Sequence, residues 1–483
     1  MSGQDSPNVV MLVLDTTRAR TVDAAPSGTY PTLERLANEG TKFTRAVTDA
    51  PWTLPAHTSL FTGTSPSTHG THTDYPYLTD DVRTVAETFS DAGYNTASFT
   101  NNAWVSDEFG LSRGFDDLYR VWQYFQSDHD VGPVTLTESN GLDILPIAKR
   151  MLSGNPLKNA VNVAYNQFVY RSEDYGGRRT NRLARQWLDE TEEPFFLFAN
   201  YLEPHLEYRP PEEIADQFLD CSYEAAMDVP QDPWAYLCGL QEMTKREFDI
   251  LRDLYRAEIA YADARISDLI DYLESTGQWD DSIMIVVGDH GENIGEHGLM
   301  DHQYSLHETL LHVPLYIAGG PFDGGGEVDR LVQLSDIYPT LVDVLGIDDP
   351  RATAQFQGRS FAPERPEREV TVSEYMGGQP SIETLRERFG SVPDRVETLN
   401  RGLRAIRTDD RKLIRGSDGS IRLFDMTTDP DEERDLAAEE PERVAELETR
   451  LDEWLEGVDN VTADRSVDVD EGTQARLESL GYL

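Results

Sequence analysis

Thr53 stands in the run Ala50-Pro51-Trp52-Thr53-Leu54-Pro55-Ala56-His57-Thr58-Ser59-Leu60-Phe61-Thr62-Gly63, where a loop enters a helix. At such a start a side-chain oxygen and the first backbone amides can meet an anion. Far away in sequence, Asp15 closes one apolar run and the pair Asp289-His290 closes another. Two carboxylates, an imidazole and a hydroxyl oxygen form a donor set for Mg²⁺, Mn²⁺ or Ca²⁺. A divalent ion against Thr53 would lower the hydroxyl pKa and make its alkoxide a nucleophile near neutral pH. The amides after Thr53 would hold the anionic oxygens of the substrate. The constellation points to a hydrolase of a charged ester. Each residue alone has an ordinary reading: Asp15 as a turn or cap, Asp289-His290-Gly291-Glu292-Asn293 as a polar loop, Thr53 as a helix cap. Only the joint pattern carries the chemistry.

The elements that must bring these residues together are legible as apolar runs. Residues 8–14, 195–202 and 282–288 are continuous enough to be strands buried on both faces of a parallel sheet. Residues 96–100 and 313–318 add two more strands. Helical patterns at 31–38, 84–92, 244–275 and 336–345 alternate with them. This predicts an α/β fold with a doubly wound, mostly parallel central sheet. Ligands of such sheets bind beyond the carboxyl ends of the strands, which places Asp15, Asp289, His290 and His205 on one rim. Residues 1–350 form the expected catalytic domain, and 351–368, rich in Pro, Arg and Glu, a linker or surface loop. Short candidate strands at 369–373, 403–407, 412–415 and 421–424, then a helix at 442–455, predict a small antiparallel sheet with a covering helix in residues 369–483. Residues 120–180 read as an insertion over the active face.

Composition narrows the partners. The formal charge is −46, and only five of the 42 basic residues are Lys. An acidic, Lys-poor surface on a chain with 39% hydrophobic residues fits a folded protein of a salt-loaded cytoplasm, where ions screen the self-repulsion. It argues against nucleic acid and anionic membranes, which require a basic footprint. A small anionic substrate needs only local positive charge. The sequence shows no signal-peptide pattern and no apolar run near the roughly twenty residues of a membrane span. Cys221 and Cys238 are too few for a disulfide framework or a Cys-rich metal site. These features predict a cytoplasmic enzyme. His290, His297, His302, His307 and His312 cluster, but the five-residue spacing of His307 and His312 turns them apart on a helix and excludes a zincin.

The chain resembles the sulfatase family within the alkaline-phosphatase-like superfamily. The resemblance lies in residues 8–18, the run from Pro51 to Gly63, Ser67-Thr68-His69-Gly70, Glu203-Pro204-His205 and Gly288-Asp289-His290-Gly291-Glu292. It continues through Gly295-Glu296-His297-Gly298-Leu299, Val313-Pro314-Leu315, Leu423-Phe424-Asp425 and the closing Leu480-Gly481-Tyr482-Leu483. It implies one divalent metal on Asp15, Asp289 and His290, with Thr53 as nucleophile and further ligand. His205 and His302 match positions that contact the ester oxygens or protonate the leaving group, and His57 is expected to bind substrate.

Two departures from the family pattern bear on the reaction. Sulfatases carry Cys-x-Pro-Ser-Arg or a Ser version, whose first residue is oxidised to formylglycine; here the run is Thr53-Leu54-Pro55-Ala56-His57, and Thr cannot yield that aldehyde. A sulfated Thr lacks the elimination route of a formylglycine hydrate, whereas a phosphorylated Thr is cleared by water or an alcohol at phosphorus. Thr16 stands where many sulfatases have a second Asp ligand, and no His follows His312, which weighs against a two-metal site. The expectation is a phosphate mono- or diester hydrolase or phospho-group transferase without formylglycine. Sulfuric ester hydrolysis and metal-dependent recognition of an anionic glycan or lipid headgroup without turnover are the alternatives.

Overall fold

The computed structural model describes residues 6–127, 151–152, 154–166, 174–458 and 471–479. The sequence builds strands β1 (Asn8–Leu14), β2 (Thr41–Val47), β3 (Asn95–Thr100), β4 (Asp117–Arg120), β5 (Phe195–Tyr201) and β6 (Ser282–Gly288). The ribbon β7 (Asn293–Ile294) and β8 (Met300–Asp301) follows, then β9 (His312–Ala318) and β10 (Gly326–Gln333). Eight of these form one sheet in the order β10-β2-β9-β6-β1-β5-β3-β4. Neighbours run parallel except β9, which is antiparallel to both β2 and β6. The expected doubly wound, mostly parallel sheet is present.

Strands β1, β5 and β6 are buried at every position, as their uninterrupted apolar runs require. Their registers align: Leu14 lies opposite both Tyr201 and Gly288. Asp15 and Asp289 therefore leave adjacent strands at the same rim. The long helix Lys245–Thr276 packs against the helices Gly177–Glu190 and Pro31–Glu39 and the β7 strand. It starts at a capping box, with Thr244 accepting from the Glu247 N–H and Glu247 reaching back to the Thr244 N–H, and stops at Gly277 in the left-handed conformation.

The sequence reading passed over β2, β4 and β10. Strand β2 alternates apolar with charged residues; Lys42 pairs with Asp23 and Glu327, and Arg45 with Asp329 and Asp409. Such half-exposed strands near a sheet edge give a weak signal beside the buried central ones.

Strands β11 (Thr371–Tyr375), β12 (Leu403–Arg407), β13 (Arg411–Gly416) and β14 (Ile421–Asp425) form an antiparallel meander. The helix Pro441–Glu456 packs Leu447 and Leu451 onto a small core of Val372, Ile406, Leu413 and Leu423. Truncating either leucine to Ala would cost about 2–5 kcal/mol. Of the expected insertion at 120–180, residues 128–150, 153 and 167–173 lie outside the described residues, as does the closing 480–483. Among the described residues no helix is long and apolar enough to cross a membrane.

Candidate active site

The rim of the sheet collects the expected residues. Thr53 is the first residue of the helix Thr53–Thr62 and is fully buried. Its Oγ1 lies 3.3 Å from His290 Nε2. That nitrogen is 3.4 Å from Asp289 Oδ2 and 3.7 Å from Asp15 Oδ1. Donor atoms of Asp15, Asp289 and His290 all fall within 4.8 Å of one another. The tautomer of His290 is fixed by its neighbour: Nδ1–H donates to the Gly291 carbonyl at 2.9 Å, so Nε2 presents a lone pair. Gly291 is required for this arrangement, because a Cβ there would stand 2.0 Å from the Thr309 carbonyl oxygen.

The electrostatics of the cluster call for a cation. Burial pushes the Asp15 carboxyl above its ordinary pKa, and burial together with Asp15 pushes Asp289 well above. Burial, with His302 next in weight, drives His290 well below the usual imidazole value. Asp15 Oδ1 and Asp289 Oδ2 are buried and accept no hydrogen bond. Two carboxylate oxygens and an imidazole lone pair meeting in a dry site repel one another. A divalent ion satisfies all three, so the residues present fit a metal centre.

Thr16 does not act as a second carboxylate. It sits at φ 56°, a left-handed conformation that costs a β-branched residue roughly 1–3 kcal/mol. The geometry turns its N–H to Asp289 Oδ1 at 3.1 Å, where the His290 N–H also donates at 2.8 Å. The Thr16 carbonyl is held by the Tyr255 hydroxyl at 2.7 Å. One oxygen of Asp289 is thus fixed by backbone donors while the other faces His290.

His205 and His302 join the same cluster. Their rings are 5.4 Å apart, and His302 packs 4.7 Å from the His290 ring. Burial works against a charged His302, but Asp301 Oδ1 at 3.0 Å from its Nε2 outweighs that and raises the pKa. Burial lowers His205, with the Asp15 charge only partly opposing it. The two imidazoles are shifted in opposite directions, His302 toward its charged form and His205 toward its neutral form, a difference that general acid–base chemistry uses.

His57 occupies a different side of the cluster. Its Nδ1–H donates to the Thr53 carbonyl at 3.0 Å and lies 3.4 Å from Asp289 Oδ2. The ring packs edge-on against Phe61 and Phe198, and burial lowers its pKa to about 4, so it is neutral. His307 and His312 point elsewhere, to Glu432 and to the Thr44 carbonyl.

Asn102 was absent from the sequence-derived set. Its Oδ1 accepts from the Trp104 N–H at 3.1 Å, which turns Nδ2 toward Asp15 Oδ2 at 2.7 Å and Thr53 Oγ1 at 3.4 Å. Its position just past β3, a strand ending on the same rim, is the one sequence feature that could have marked it.

With this geometry established, comparison with known proteins places it among relatives. The sulfatase family model matches residues 7–347. Arylsulfatase K of Bos taurus is 25% identical over 477 residues, spanning 92% of this chain and 81% of the relative. Choline-sulfatase of Rhizobium meliloti is 25% identical, spanning 89% and 82%. Among solved structures, a phosphonate monoester hydrolase of Agrobacterium radiobacter superposes with a TM-score of 0.67 at 20% identity, covering 93% of this chain and 95% of that one. A 2-O GAG sulfatase gives a TM-score of 0.67 at 20% identity, with 98% and 96% covered. These structural likenesses speak to the fold.

Proposed function

Since the chain belongs to the sulfatase family and is an ester hydrolase, we propose that it cleaves phosphate mono- or diesters, or transfers their phospho group, through a covalent intermediate on Thr53. One observation carries the reading: a Thr hydroxyl, at a helix start, lies 3.3 Å from the imidazole lone pair of the Asp15–Asp289–His290 cluster.

Asp15, Asp289, His290 and the Thr53 oxygen would hold one divalent ion (Mn²⁺, Mg²⁺ or Ca²⁺), which when bound supplies Lewis acidity and neutralises the two carboxylates. Asn102 orients Thr53 Oγ1 and Asp15 through its Nδ2 donors. Thr53 Oγ attacks phosphorus, the bond from phosphorus to the ester oxygen breaks, and His302 protonates the departing oxygen. His205, the neutral partner, takes the proton that Thr53 gives up. Water, or an acceptor alcohol, then attacks phosphorus, gives its proton to His302 and frees the Thr53 oxygen, which takes back the proton held by His205. His57 supports the site by fixing the Thr53 carbonyl beside Asp289, and any contact it makes with substrate is through this helix turn.

The phosphoester reading rests on side-chain chemistry. A Thr carbon bears a methyl and cannot become the formylglycine aldehyde. The names of the relatives favour a second reading, sulfuric ester hydrolysis. The charge of −46 with five Lys supports a salt-rich cytoplasm as the setting, and the fold supports a catalytic domain of residues 1–350 with residues 369–483 as an α+β subdomain.

Turnover of an aryl phosphate, a bis-aryl phosphate and an aryl sulfate, in high salt with each metal, tests the proposal. Phosphoester turnover that disappears in Thr53→Ala, with a phospho adduct on Thr53 in the quenched enzyme, is the expected result. Sulfate turnover that requires Thr53 would replace it with the sulfatase reading.

A further inference from the structure

The helix Gly177–Glu190 carries Arg178, Arg182 and Arg185 at spacings of four and three, which put them on one face. With Arg265 of the long helix Lys245–Thr276 they line a groove of about 370 Å³, together with Asp189 and Asp268. That is space for roughly a dozen waters, more than a single sulfate or phosphate group requires.

Four arginines in one groove are unusual for this chain, in which acids outnumber bases by 88 to 42. Other exposed arginines find carboxylates: Arg20 with Asp431, Arg246 with Asp220, Arg386 with Glu397 and Arg434 with Glu439. The groove is different. Among the described residues no carboxylate lies within ion-pair distance of Arg178, Arg182 or Arg185.

The two acids that share the lining are already engaged. Asp268 pairs with Arg265 at 3.0 Å, and Asp189 accepts the Tyr272 hydroxyl. Arg185 donates to the Asp268 carbonyl and lies over the Tyr272 ring, 5.5 Å from its centre, which holds its guanidinium in place. The Nε–H groups of Arg185 and Arg265 are buried and meet no acceptor among the described residues. Two guanidinium groups with no carboxylate partner among the described residues, and a third fixed by carbonyl and ring, leave an excess of positive charge in a concave site. Planar, multidonor arginine heads match tetrahedral oxyanions.

We propose that this groove is a second anion-binding site, which takes clustered sulfate or phosphate groups, either borne on a chain or free in solution. None of its residues belongs to the Thr53 cluster, and the proposal stands whichever ester that cluster cleaves.

Isothermal titration calorimetry of the full chain, in the lowest KCl at which it keeps its melting temperature, tests this with two probes: inorganic tripolyphosphate and a sulfated dextran oligosaccharide. The expected result is binding of at least one probe to a single site. Affinity should fall at least tenfold in the double variant Arg178→Gln/Arg182→Gln and remain in Thr53→Ala and in Arg434→Gln. Both groove arginines are exposed, so the double variant should keep its melting temperature. Tripolyphosphate binding alone assigns the groove to a free oxyanion, and binding of the sulfated oligosaccharide alone assigns it to a chain-borne one. Absence of binding by both probes would overturn the proposal. So would unchanged affinity in the double variant, an equal loss in Arg434→Gln, or tighter binding of a charge-matched oligonucleotide.

Discussion

Two buried clusters of this molecule use the same side-chain types and end in opposite states. In one, Glu432 meets His307 and shares Lys412 with Glu308; in the other, Asp15 and Asp289 meet His290. Lys412, itself fully buried, reaches Glu308 at 3.0 Å and Glu432 at 2.8 Å, and Arg407 adds a contact to Glu308 at 3.2 Å. Burial opposes the charges of both glutamates, yet these cations prevail and hold the carboxyls below their ordinary range. No lysine or arginine among the described residues pairs with Asp15 or Asp289, and burial pushes both upward. The first cluster is completed by the chain. The second is left to be completed by an ion from solution, which is what separates a structural network from a reactive one. Donor atoms of His297, His307 and Glu432 also lie within 4.8 Å of one another, but Lys412 already supplies the positive charge there.

The contrast breaks down if mutations in the two clusters behave alike. The largest expected effect is on turnover: Thr53→Ala should lower kcat by about 10³-fold or more, read in a steady-state assay with unchanged melting temperature. Lys412→Met should do the reverse, losing about 3–5 kcal/mol in urea unfolding by stranding buried Glu432 and leaving Glu308 to Arg407 alone, with little change in kcat per folded molecule. Metal should stabilise only one cluster. At about a hundredfold excess over Kd it should add about 2.7 kcal/mol to unfolding, and chelation should remove both this gain and turnover. In Asp289→Asn that increment should vanish, while the chelated variant should melt higher than the chelated parent because one unpaired buried anion is gone.

The smallest effect sharpens the comparison with a histidine that needs no cation. His69 accepts the Thr71 N–H on Nδ1 at 3.1 Å and donates from Nε2 to Ser59 Oγ at 3.0 Å, so its neutral form is fully bonded. Burial lowers its pKa from 6.5 to about 3. The folded state binds fewer protons than the unfolded chain between these values, so stability should fall as pH drops through that window. At pH 5 the loss from this group is about 2 kcal/mol, and His69→Gln should flatten the pH dependence of the urea midpoint by that amount.

What could be read from sequence followed burial. Strands β1, β5 and β6 announced themselves because both faces are covered, and the polar residues closing them could only be at the rim. Asp15, Asp289 and His290 were legible for that reason, and Thr53 because a helix start follows it. Asn102 was not: an amide after a strand has no distinctive spacing, and its role depends on the Trp104 N–H turning it. The placement of His57 escaped for a similar cause, since its direction is set by the Thr53 carbonyl and two phenylalanine rings rather than by its position one turn along the helix. The arginine groove required knowing that the helix Gly177–Glu190 lies beside the helix Lys245–Thr276.

The position of β1 has a consequence for how the protein is made. It is a central strand whose partners, β5 and β6, come far later in the chain. At typical translation rates it must wait on the order of tens of seconds before β6 leaves the ribosome. Until β5 emerges, seven consecutive residues destined for complete burial have no native neighbour, and until β6 follows, one edge of their backbone stays open to improper pairing. The strand that supplies Asp15 is therefore, for part of synthesis, an exposed apolar stretch of the nascent polypeptide of the kind a chaperone covers.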